Sequence, residues 1–171
     1  TVRLVYVFRG ETTTLTRQLT AKYMEETLFT LAKAYAARVN LLLDAREAAQ
    51  QSAQALPFPF DDYRSGQRQM VRHGYFALTH GRKLLAQAPT GVGKTMASLY
   101  PAVRALGAGA VRRIFYLTAR ATQRTAAEDA LEKMRRCGLE LRSVTITAKD
   151  KICPFPDCIC SGESCPYARG Y

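Results

Sequence analysis

The chain has 171 residues, 47% of them apolar, enough for one well-filled core or for a domain with appendages. Charged residues interrupt every apolar run well short of the ~18 residues that a membrane span needs, and Thr1–Phe8 alternates like a strand where a leader would carry a basic start and an apolar stretch; a cytoplasmic protein is expected. Lys and Arg number 25 against 14 Asp and Glu, a formal charge of +11 that favours polyanionic partners such as nucleic acid.

Val2–Phe8 and Thr14–Thr20 alternate apolar and polar residues on either side of Gly10, which predicts a β-hairpin. From Ala21 to Ala55, Met24, Leu28, Leu31, Tyr35, Val39 and Leu42 recur every three or four residues, which predicts one long helix. Two prolines in Leu56-Pro-Phe58-Pro-Phe60 break it, since proline lacks the amide a helix needs. Residues 1–55 are therefore read as a separate N-terminal region.

Beyond the break the rhythm changes. Helices are predicted over Arg64–Thr79, Lys94–Leu106 and Ala121–Arg136, with glycines at 81, 107 and 138 as stops. Short apolar strands are predicted over Lys83–Ala88, Arg113–Leu117 and Arg142–Thr147. Strand–helix alternation at this spacing predicts an α/β fold with a doubly wound parallel sheet.

Ala88-Pro89-Thr90-Gly91-Val92-Gly93-Lys94-Thr95 lies between a predicted strand and a predicted helix, the context in which such a loop holds phosphates. Its glycines let backbone amides turn inward, and the helix start adds positive potential. Lys94 would reach the β- and γ-phosphates of ATP, and the Thr95 hydroxyl would ligate Mg²⁺. The loop alone is equally compatible with a kinase, a transporter, a GTPase or a helicase.

Upstream stands Phe58-Pro-Phe60-Asp-Asp-Tyr63-Arg-Ser-Gly-Gln67. An aromatic ring here can stack on a base, and the Gln67 amide matches both N7 and N6 of adenine. Downstream, Cys153, Cys158, Cys160 and Cys165 follow the spacing Cys-x4-Cys-x-Cys-x4-Cys. In a cytosolic chain such a cluster reads as a metal site, and from spacing alone Zn²⁺ and an iron–sulfur cluster are equally served.

Four ordered segments carry a resemblance. Phe58-Pro-Phe60…Gly-Gln67 resembles the Q motif, and Gln-Ala-Pro-Thr-Gly-Val-Gly-Lys94-Thr95 resembles motif I, of superfamily 2 helicases of the XPD/DinG type. Tyr116-Leu-Thr118-Ala-Arg120, with Gln123, resembles motif Ia, which touches the DNA backbone in that family. Thr147-Ala-Lys149-Asp-Lys151-Ile-Cys153 resembles the run leading into its iron–sulfur insertion. The similarity covers residues 56–171. It implies a RecA-like P-loop lobe over 56–152, the start of a cysteine-rich insertion over 153–171, a 4Fe-4S cluster in place of Zn²⁺, and movement on single-stranded or forked DNA in the 5′-to-3′ sense. Thr118, Arg120, Gln123 and Lys149 become candidate DNA contacts. The N-terminal hairpin and long helix are similar to a bacterial subgroup with a PD-(D/E)XK nuclease-like region ahead of the motor, although no Asp…Glu-x-Lys set is present.

The family's Asp-Glu-x-His box and second lobe are not found in this sequence; Glu128-Asp129 falls within a predicted helix and lacks the following His. With Thr1 at the start in place of Met, a piece of a longer protein is expected, with hydrolysis completed by the remainder of the helicase chain. A rival reading is a non-enzymatic nucleic-acid-binding module with a zinc site. Another is a small-molecule P-loop kinase, for which the Gln67 element and the cysteines have no evident use.

Overall fold

The computed structural model describes residues 1–155, 159–161 and 163–168. They divide into two compact units, Thr1–Leu141 and Arg142–Tyr171.

The first unit opens with an antiparallel hairpin of β1 (Val2–Phe8) and β2 (Glu11–Arg17), in register from Val2 opposite Arg17 to Phe8 opposite Glu11. The second strand begins earlier than the sequence pattern predicts because the turn is only Arg9-Gly10. Both residues have positive φ, 50° and 83°, the backbone of a two-residue type I′ turn, whose twist matches that of the flanking strands.

Helix α1 (Ala21–Ala55) has the predicted limits. Thr20 caps its start, the hydroxyl accepting from the Tyr23 amide at 3.2 Å. Only Ala49 and Ala53 are buried along it; Leu28, Leu31, Tyr35 and Leu42 of the predicted apolar stripe stand exposed. The helix joins the core through its last turns alone.

That core is built around α3 (Lys94–Gly107), which packs against α1, α2 (Gln67–Thr79) and α4 (Ala121–Arg136). Nine residues of α3 are buried, Val103 and Ala105 completely. Met134 of α4 is also fully enclosed. Two close approaches set the packing. Gly74 of α2 sits where a Cβ would lie 3.2 Å from the Pro101 ring, and at Gly107 a Cβ would lie 2.6 Å from the carbonyl carbon of Ala53. Arg104 then closes the end of α1: its guanidinium donates to the carbonyls of Gln54 and, at 3.2 Å, Leu56. Those are carbonyls that a helix end leaves without partners of its own. The Tyr100 hydroxyl donates to the same Leu56 carbonyl at 3.2 Å, and burial pushes the phenol's pKa up, offset in part by Arg104.

The predicted strands differ. Segments 83–88, 113–117 and 142–147 carry no regular secondary structure, and the sheet found among the described residues is the two-stranded hairpin. Leu85, Leu117, Val144 and Ile146 are largely exposed. Apolar alternation marks a segment able to join a sheet and does not by itself fix a ladder partner.

In the second unit, α5 (Lys149–Ile152) is a single turn, closed by the Cys153 amide donating to the Lys149 carbonyl at 2.9 Å. A turn follows in which the Cys165 amide donates to the Ser161 carbonyl at 2.9 Å. The Phe155 and Tyr167 rings lie 5.9 Å apart, tilted.

Candidate functional site

The phosphate loop enters α3 through two glycines in the left-handed region, Gly91 at φ 89° and Gly93 at φ 81°. Non-glycine residues reach that region only with strain. No side chain caps the start of α3, so its first amides face the loop, as an anion-binding helix start requires. Lys94 folds back over the loop, its ammonium donating to the carbonyls of Ala88 and Pro89 at 2.8 Å each. The amine therefore lies across the hollow that the backbone of Pro89, Thr90, Gly91 and Val92 encloses.

Gln67 is joined directly to this loop. It begins α2, three residues later than the sequence pattern places the helix start, after Gly66 turns the chain at φ 75°. It is the buried polar side chain of the described core, 3% exposed. Its amide oxygen accepts from the Arg64 backbone amide at 3.0 Å, and its amide nitrogen donates to the Gly93 carbonyl at 3.3 Å. A glutamine carries two lone pairs and two N–H groups, so one of each remains for a ligand. Arg64 adds a second tie, its guanidinium donating to the Gly91 carbonyl at 2.6 Å.

Phe58 and Phe60, paired in the sequence reading, have different surroundings. Phe58 stacks on Tyr63 (centroids 3.8 Å apart, 18° between planes) and meets Tyr100 edge-on at 5.2 Å. It belongs to the rim of the core. Phe60 instead lines a cleft of about 260 Å³ together with Arg64, Gln67, Gly93, Thr95, Asp129 and Lys133. That is near the small end of ligand pockets, roughly 300–1,000 Å³, sized for part of a nucleotide.

Sequence reasoning placed the helix α4 correctly but did not foresee that Arg64 and one face of α4 belong to the site. Ala126, Asp129, Ala130 and Lys133 form the far wall of the cleft. Their spacing puts them on one helix face, but a pattern within α4 cannot show which loop that face meets.

Of the candidate DNA contacts, Thr118, Arg120 and Gln123 come together, all exposed, at the start of α4. Arg120 is its N-cap residue, and its carbonyl accepts from the Gln123 amide at 3.1 Å. Lys149 lies in the other unit, beside cysteines. A hydrogen bond to the Cys160 sulfur, with the charges of Cys160, Cys153 and Cys165, raises its pKa above the ordinary lysine value.

Cys165 is buried, Cys153 half-buried and Cys160 exposed; Cys158 falls outside the described residues. Among the described residues no three His, Cys, Asp or Glu side chains converge so as to hold a metal ion. The described thiols do not make a ready cage for a cluster. Cys137, at the C-cap of α4, is exposed.

A family model for the DEAD/DEAH box helicase matches residues 64–152, the stretch that holds Arg64, Gln67, the phosphate loop and the start of α4. The chain belongs to the DEAD/DEAH box helicase family. No curated protein and no solved structure matches. As a DEAD/DEAH box chain it carries a nucleic-acid helicase-type ATPase domain of RecA-like α/β descent, a family that uses ATP and Mg²⁺. No helix among the described residues is long and apolar enough to cross a membrane.

Proposed function

We propose that this chain is the ATP-binding part of an iron–sulfur DNA helicase of the XPD/DinG type, moving 5′ to 3′ on single-stranded or forked DNA. The observation that carries the reading is the buried Gln67 amide tied to Gly93 of the phosphate loop. It couples a group able to recognise adenine to the loop that holds phosphates, a coupling for which a small-molecule kinase has no evident need.

In this reading Lys94 leaves the Ala88 and Pro89 carbonyls for the β- and γ-phosphates, and Thr95 supplies the hydroxyl for Mg²⁺. The base stacks on Phe60 and meets the remaining lone pair and N–H of Gln67. Thr118, Arg120 and Gln123 take the phosphates of a single strand, with Lys149 as a further contact. Cys153, Cys158, Cys160 and Cys165 are the proposed ligands of a 4Fe-4S cluster, supported by their clustering in the sequence. No step of the ATP reaction runs through it.

The test measures binding of ATP and GTP to the intact protein, then displacement of a strand from duplexes tailed at either end. Binding that Lys94→Ala weakens, a preference for ATP over GTP, and displacement from the 5′-tailed duplex are expected. Equal binding of GTP, or displacement that ignores the tail, would sink the reading. Iron, sulfide and zinc contents of anaerobically purified protein separate a cluster from a zinc site.

A further inference from the structure

We propose that Lys133 occupies the base-stacking face of Phe60 and must leave before a base can enter. The proposal rests on the assignment of this cleft to a nucleotide and adds how access to it is controlled. The Lys133 ammonium lies 5.1 Å from the centroid of the Phe60 ring, within the range of a cation–π contact. Both residues line the cleft beside Gln67 and Gly93. Phe60 is 42% exposed, and Phe58 sits tilted by 52° at 5.7 Å without stacking flat on it. The cleft side of the ring is open to a base, and an ammonium already stands over the ring.

The displaced lysine has somewhere to go. Asp129 lies one helical turn before it on the same wall of the cleft, in the Asp-to-Lys order that stabilises pairs four residues apart. Among the described residues Lys133 forms no ion pair. Asp129 gives the ammonium a counter-charge to face once it has left the ring. Nucleotide entry is then ordered, phosphates first and base second.

The experiment compares ATP with tripolyphosphate, which has no base, in titrations of the intact protein by calorimetry. Lys133→Met keeps the stem and removes the charge, so any general loss of attraction for phosphate appears in both ligands and cancels in their affinity ratio. That ratio is expected to rise about two- to fivefold, the size of an exposed cation–π contact. In a Phe60→Leu background the same substitution is expected to leave it unchanged. A ratio that falls or stays constant in Lys133→Met, with ATP binding still dependent on Lys94, overturns the gate alone. ATP binding that survives Lys94→Ala overturns the nucleotide reading beneath it.

Discussion

The amide nitrogen of Gln67 donates to the carbonyl of Gly93, and it can do so only because Gly93 lacks a side chain. A Cβ at that position would lie 2.5 Å from the same nitrogen. One glycine therefore serves the backbone turn of the phosphate loop and makes room for the residue that ties the loop to α2.

Gly93→Ala is accordingly expected to cost on two counts. Its φ of 81° strains any side chain by about 1–2 kcal/mol, and Gln67 must move. Thermal melting should show a lower midpoint, and titration a loss of ATP binding greater than the stability change accounts for. Unchanged binding would show that the tie is dispensable.

Gln67→Leu keeps bulk but leaves the Arg64 amide and the Gly93 carbonyl without their partner. Both bonds are part-buried, which places the cost toward the lower end of the about 1–3 kcal/mol of a stranded buried group, to be read from urea unfolding. The preference for ATP over GTP should narrow in the same variant. A full loss of stability with an intact preference would assign Gln67 to scaffolding alone.

Lys94→Ala should separate binding from folding. The side chain is exposed, so stability should stay within about 0.5 kcal/mol of the parent. Affinity for ATP should fall roughly ten- to a hundredfold, as expected for a lost charge-assisted hydrogen bond to phosphate. Equal affinity in parent and variant would exclude the loop as the phosphate site.

Gly107→Ala tests the junction of α1 and α3. A Cβ there meets the backbone of Ala53 and Gln54, which cannot swing aside as a side chain can. A loss of about 1–3 kcal/mol is expected from forced separation of the helices. Gly138→Ala is the control. It has φ 98° but nothing within 4 Å, so it carries strain without a clash and should cost less.

Local chemistry was legible in the sequence wherever a residue acts on its own neighbours. The end of α1 follows from the prolines after Leu56, and the end of α4 from the Cys137-Gly138 stop. The phosphate loop was legible for the same reason, since two glycines, a lysine and a threonine build it from consecutive residues. The start of α2 was misplaced because Arg64 bonds to the Gln67 side chain and so stays outside the helix.

What the sequence by itself determined, then, is a loop able to hold phosphates, a nearby glutamine and aromatic pair, and the helices that carry them. Only the tertiary structure decided that Gln67 is buried against Gly93, that Phe60 reaches the cleft while Phe58 meets Tyr100 edge-on, and that Lys133 of α4 lies over the Phe60 ring. The reason is distance along the chain. Those contacts join segments tens of residues apart, and they exist only because α3 is buried on nearly every side and draws α1, α2 and α4 against it.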